Sequence, residues 1–244
     1  MTRFLEAHFD AATSGSITTA LEPGISSTTG TAPTFSAADT IHGAAGALSA
    51  SGVVSILRQD IPSPLPSIYW RGYIKRVLAN PTVAQFAAAR DSANANCASL
   101  AMQASGAIVL RDGNTAVATS THTLAAGDWV RVEWYVDRGG TSTQTLELFY
   151  SGNIEGTIPN EVLTGACTAA TTPLHQVSSG SITASAGAQF AVDEAVLADA
   201  YVGPFASPPY TVTVWNGTTE DAVSSVTVWD GSTEVVSNIF GVTP

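Results

Sequence analysis

The pattern of apolar and polar positions is clearest from Trp129 to Asp137, where WVRVEWYVD alternates strictly. Val130, Val132, Trp134 and Val136 fall on one side of an extended chain, and Arg131, Glu133, Tyr135 and Asp137 on the other. Such a period predicts a strand with one face in a core and the other facing solvent or a shallow groove. Similar runs flank it. GAIVLRDGNTAVATS (106–120) reads as a hairpin about Asp112 and Gly113, because Asp-Gly tolerates the positive φ of a tight turn. TLELFYSGNIEGTI (145–158) repeats that design around Ser151, Gly152 and Asn153. Upstream, SIYWRGYIKRVL (67–78) is aromatic and β-branched, with Tyr69 to Val77 predicted as a core strand. The preceding IPSPLP has three prolines and reads as a crossover loop, since proline cannot donate to a central ladder. QFAVDEAV (189–196) closes the series, and the Ala-rich PTVAQFAAARD (81–91) lacks an amphipathic stripe, leaving helix and strand equally open.

These short runs, separated by Gly, Ser, Thr, Asn and Pro, continue to Pro204 and predict an antiparallel β-sandwich over residues 1–204. The pattern then changes. A proline-rich hinge spans 205–209, and residues 210–244 contain an internal repeat, VTVWNGTTE from Val212 recurring as VTVWDGSTE from Val226. Each copy couples Trp to Asn-Gly or Asp-Gly, which predicts a module of tandem β-hairpins. An isolated hairpin is marginal in water, so Trp215 and Trp229 need a partner surface. They are the expected assembly contact of a homo-oligomer, a trimer or a lattice array, with the stiff hinge holding them off the sandwich.

Composition narrows the function. Charged residues are 12% of the 244, so a Thr- and Ser-rich surface is expected, as on exposed strands. The net charge of −11 and the scattered basic residues argue against nucleic acid as a partner. Of the nine basic residues only Lys75 is lysine, the imprint expected of a GC-rich genome. Met1 to Phe9 lacks a signal-peptide pattern and no apolar stretch is long enough to span a membrane, so the expected product is soluble and made in a cytoplasm. Cys97 and Cys167 lie outside any CxxC spacing and read as reduced, partly buried thiols, a disulfide between them being the minority alternative.

Catalytic constellations are absent from the sequence. Glycosidases of lectin-like fold carry an ExDxxE spacing that does not occur here; Glu133 and Glu147 on consecutive strands come nearest and read as solvated carboxylates, with Arg131 as a cross-strand partner. His8, His42, His122 and His175 have no zinc-ligand spacing, and no GxSxG elbow occurs. Calcium is weighed at Asp112, Asn114, Asp193 and Glu194, but without a dense DxDxD pattern these residues read as turn chemistry, and no cofactor is expected. Tyr69, Trp70, Tyr73 and Tyr135 are the aromatics to examine for sugar stacking; alternation alone leaves open which of them fill the core.

In order, SIYWRGYI, ASLAMQASGAIVLRDG, AAGDWVRVEWYVD, LELFYSG and AVDEAVLADAYVGP resemble the concanavalin A-like, or laminin G-like, jelly rolls over roughly residues 1–204. The closing VDEAVLADAYVGP is similar to the last strand of such domains in actinobacteriophage virion proteins, and the Trp hairpins resemble small terminal modules of their minor tail and head-associated proteins. The resemblance implies a non-enzymatic virion-surface component, a minor tail or capsid-decoration protein whose partners are other virion proteins, itself and a host surface glycan. A glycan-binding adhesin is the alternative, and a polysaccharide hydrolase the remote one.

Overall fold

A computed structural model describes residues 3–80, 82–169, 173–184, 187–204, 213–215 and 220–222. Two compact units divide the chain, Met1–Pro204 and Phe205–Pro244. The first unit contains strands β1 (Arg3–Ala7), β2 (Ser27–Gly30), β3 (Thr34–Ser36), β4 (Gly46–Leu48), β5 (Ser55–Leu65), β6 (Ser67–Leu78), β7 (Ala84–Asp91) and β8 (Asn96–Met102). It continues with β9 (Ala107–Asp112), β10 (Thr115–Thr123), β11 (Trp129–Asp137), β12 (Thr143–Tyr150), β13 (Glu161–Ala166), β14 (Leu174–Ser181) and β15 (Gln189–Ala198). Among the described residues the only helical element is a 3₁₀ turn, Ser151–Asn153.

The strands form two antiparallel sheets. The first runs β13-β12-β11-β6-β15-β4-β3, with β1 also paired to β15; the second runs β10-β9-β8-β7-β14-β5-β2. This is an all-β sandwich of two antiparallel sheets, with the core between them. The alternation in β11 holds: Val130, Val132, Trp134 and Val136 are all in the core, each buried side chain worth roughly 1.5–3 kcal/mol. Trp70 and Trp134 occupy opposed register positions in the same layer, and their indole N–H groups donate to Gln59 Oε1 (3.1 Å) and Gln144 Oε1 (3.2 Å). Gly72 is required beside them, since a Cβ there would lie 2.5 Å from the Trp70 ring.

Three expectations need correction, and one that was left open is decided. IPSPLP is not a loop: β5 runs through Pro62 and Pro64 to Leu65. The prolines are tolerated because β2 pairs only with Ser55–Arg58, and the ladder to β14 is interrupted between Asp60 and Leu65. The stretch 81–91 is strand β7 from Ala84. The β9–β10 turn centres one residue later than expected, with Asp112 paired to Thr115 and the positive φ carried by Gly113 alone, as in a type II′ turn. TLELFYSGNIEGTI makes no tight hairpin, because residues 151–160 form a longer connection before β13.

Cys97 and Cys167 are free and fully buried, Cys167 Sγ lying 3.7 Å from the Cys97 carbonyl oxygen; burial pushes the Cys97 thiol up to about 11. In the second unit Thr213–Trp215 (β16) pairs antiparallel with Glu220–Ala222 (β17), Trp215 opposite Glu220. The side chain of Trp215 and the whole second repeat, Trp229 included, lie outside the described residues. No helix among the described residues is long and apolar enough to cross a membrane.

Candidate functional site

The polar positions of β6, β11 and β12 share the outer face of the eight-stranded sheet, because side chains alternate and the registers align. Three cross-strand rungs result: Tyr69–Tyr135–Thr145, Arg71–Glu133–Glu147 and Tyr73–Arg131–Phe149. Opposite charges therefore meet along β11, at Arg131 and Glu133, and across to β6, at Glu133 and Arg71, whereas across to β12 two carboxyls, Glu133 and Glu147, stand side by side. The expectation that this face is open is met only in part.

The third rung is sealed. Arg131 lies over the Phe149 ring (3.7 Å) and donates to the carbonyls of Ile154 and Gly156, both at 2.7 Å. Tyr73 donates its hydroxyl to Glu155 (2.7 Å), and His42 Nε2 meets the same carboxylate at 2.8 Å, so the 40–44 and 151–158 loops are tied together above the sheet. Burial works against ionising Glu155, but the bonds from His42 and Tyr73 prevail and lower its pKa. Asp193 accepts from Thr40 Oγ1, Ile41 N and His42 N at 2.9 to 3.1 Å. A bulge in β15 just after Asp193 sets Glu194 and Ala195 opposite Gly72 alone, with Glu194 at φ +48° and its Oε2 2.5 Å from His8 Nδ1.

The first rung is open. Tyr69 and Tyr135 stack with centroids 4.5 Å apart, and a pocket of about 210 Å³ is lined by these rings with Thr145, Glu133, Glu147 and Tyr201. Tyr201, 43% exposed, hydrogen-bonds Glu147. At the floor, Glu133 is only 4% exposed; burial pushes its carboxyl up to about 8 despite Arg131, Arg71 and an N–H bond from Gly203. Its Oε1 lies 3.3 Å from Arg131 Nε, yet neither atom has an aligned hydrogen bond among the described residues. Burial and the two carboxylates likewise raise Tyr201 to about 12.

Of the four aromatics singled out in the sequence, the structure brings together Tyr69 and Tyr135. Trp70 belongs to the core and Tyr73 lies beneath the Glu155 loop, so neither is available to a ligand. Glu133 is not the solvated carboxylate expected. Tyr201 was missed because it follows the last strand, where no periodicity marks it. Asp112 and Asn114 sit in the other sheet and are engaged locally: Asp112 accepts from Thr168 N, Thr168 Oγ1 and Ala169 N, and Asn114 Oδ1 from Gln85 and Asn96. The candidate cation ligands thus divide into two separate pairs, each occupied by protein donors or by a histidine. A second cavity, about 310 Å³, lies at the Trp129 end of β11; its His122 and Tyr150 rings stack on each other at 3.7 Å, and Lys75 lies over Trp129.

No protein-family model matches the chain, and no curated protein matches it in sequence. Solved structures do match in fold. Trypanosoma rangeli sialidase in complex with the inhibitor DANA aligns at TM-score 0.51 and 12% identity over 82% of this chain and 31% of that one. The botulinum neurotoxin type G receptor binding domain aligns at 0.51 and 7%, over 83% and 49%. A Shewanella oneidensis protein of unknown function aligns at 0.50 and 14%, over 85% and 91%. The chain thus spans less than half of the sialidase and of the neurotoxin domain, and these likenesses establish the fold alone.

Proposed function

We propose that the sandwich is a non-enzymatic saccharide-binding module, carried on the surface of a bacteriophage particle as a minor tail or capsid-decoration component. The observation that carries the binding role is the open pocket on the first rung. Tyr69, Tyr135 and Tyr201 supply apolar ring surface, while Thr145, Glu133 and Glu147 supply convergent polar atoms, the mixture that fixes a hydroxylated ring in place. The virion setting is supported by the closing VDEAVLADAYVGP segment and the Trp repeat. In that setting residues 210–244 dock the module to a lattice or to other copies of itself, and the pocket faces a host glycan.

A hydrolase reading has one observation in its favour: Glu133 and Glu147 are direct cross-strand neighbours, and one carboxyl is held up to about 8. The pocket opposes it. A glycosidase must hold sugar rings on both sides of the scissile bond, and about 210 Å³ is below the roughly 300–1,000 Å³ typical of ligand clefts. The Tyr201 hydroxyl also occupies Glu147.

A glycan array with the full chain tests the binding role. Binding to a defined set of glycans, lost in Tyr135→Ala and accompanied by no release of reducing sugar, is the expected result. A blank array removes the binding role, and sugar release abolished by Glu133→Gln reinstates the hydrolase. Immunogold labelling of intact particles tests the virion setting.

A further inference from the structure

The pocket is uneven in its chemistry. Among its six lining residues are two carboxylates and three phenol rings, with no lysine, arginine or histidine. A neutral sugar needs donors and acceptors in balance, and here the lining donors are neutral hydroxyls, those of Tyr69, Tyr135 and Thr145 among them, while the charged lining groups are carboxyls. The Tyr201 hydroxyl is bonded to Glu147, and the nearby arginines direct N–H groups to main-chain carbonyls, Arg131 to Ile154 and Gly156, Arg71 to Glu194 and Gly203. Beyond those hydroxyls the lining offers carboxyl oxygens, Glu147 at the rim and Glu133 at the floor, with no cation among the six lining residues to offset them. Tyrosine faces and carboxylates both attract a positive charge, and in a partly desolvated pocket they do so together.

We infer that the pocket selects a saccharide bearing a free ammonium, a de-N-acetylated hexosamine, over the same sugar N-acetylated or carrying a carboxylate. This rests on the saccharide-binding reading of the same site. The ammonium sits against the Tyr69–Tyr135 pair with Glu147 at the rim and Glu133 at the floor. The groups facing Glu133 are Arg71 from β6, Arg131 from its own strand, Glu147 from β12, and Tyr201 with the Gly203 N–H from the segment after β15. Burial holds this carboxyl largely as the acid at neutral pH. An arriving ammonium favours its ionised form, so the Glu133 proton passes to solvent as the ion pair forms. A preformed carboxylic acid is what keeps the empty pocket from burying an uncompensated charge.

The test is calorimetric titration of the full chain with tetra-glucosamine, its fully N-acetylated counterpart, choline, and a tetralysine peptide of equal charge. Tetra-glucosamine should bind at least about tenfold more tightly than the N-acetylated form. Glu147→Gln should erase most of that preference and Tyr135→Ala should remove binding. Titration in two buffers of different ionisation enthalpy should show proton release that disappears in Glu133→Gln. Because Glu147 is at the rim, its variant tests the idea even if Glu133→Gln perturbs folding. Equal affinity for both saccharides, lost in Tyr135→Ala, overturns the ammonium selectivity while leaving the saccharide pocket standing. Binding of choline without either saccharide overturns both readings, as does silence toward all four. Equal capture of tetralysine, insensitive to Tyr135→Ala, reduces the effect to attraction by an acidic chain and also overturns the inference.

Discussion

The rungs Tyr73–Arg131–Phe149 and Tyr69–Tyr135–Thr145 stand four residues apart on the same three strands and on the same face, yet one is sealed and the other open. Strand chemistry does not distinguish them, for both are aromatic and polar. The difference comes from the loops. Above the sealed rung, the 40–44 and 151–158 loops provide carbonyls for Arg131 and a carboxylate for Tyr73 and His42, so every buried polar group there except Arg131 Nε finds a partner. Above the open rung, among the described residues, Tyr201 approaches and leaves a pocket. Glu133 lies on the rung between them and inherits both conditions: its Oε1 is buried 3.3 Å from Arg131 Nε of the sealed rung, and its side chain forms part of the lining of the open pocket.

Variants on each rung put this contrast to the test. Arg131→Ala should have the largest effect, about 5 kcal/mol in urea unfolding, since it strands the Ile154 and Gly156 carbonyls and leaves Glu133 without its nearest cation. A loss below about 1 kcal/mol would mean the loops are held by something other than this guanidinium. Glu133→Gln comes next and depends on pH. The folded carboxyl is raised from 4.5 to about 8, so its contribution to stability is complete below pH 4.5 and is lost as pH rises to about 8. Wild type should therefore lose roughly 4 kcal/mol more than Glu133→Gln between pH 5 and pH 9, which paired unfolding curves would read directly. Equal pH dependence would place the Glu133 carboxyl in contact with water.

Tyr73→Phe removes one buried hydroxyl bond to Glu155 and should lower stability by about 1 kcal/mol while leaving ligand affinity unchanged. An altered affinity would show that the two rungs are coupled. Tyr135→Ala should reverse that pattern, with a stability change under about 1 kcal/mol from the lost ring pair and a loss of saccharide binding. If it unfolds the protein instead, the stacked tyrosines are structural and the pocket is incidental.

The period of two in β6, β11 and β15 determined, without any structure, where the strands lie and which residues of β11 enter the core. Trp134 and its valine neighbours could not reach water once one face was apolar. It also put Glu133 on the outer face of β11 and allowed Glu147 of the next strand to share that face, which the register then decides. Periodicity stops at that level, because it describes one strand at a time. It assigned Trp70 and Tyr73 to the same list as Tyr69, although Trp70, one residue away, faces the core and Tyr73, on the face of Tyr69 itself, is covered by the 151–158 loop, which only register and packing show. It read IPSPLP as a loop because the absence of a β2 partner beyond Arg58 is a property of the sheet and not of the segment. The bulge at Glu194 and Ala195, the loops that close over Arg131, and the arrival of Tyr201 beside Glu147 all depend on contacts between residues far apart in the chain. Only the tertiary structure decided them, since loop closure over a sheet face is set by the fit of distant groups and leaves no period in the sequence.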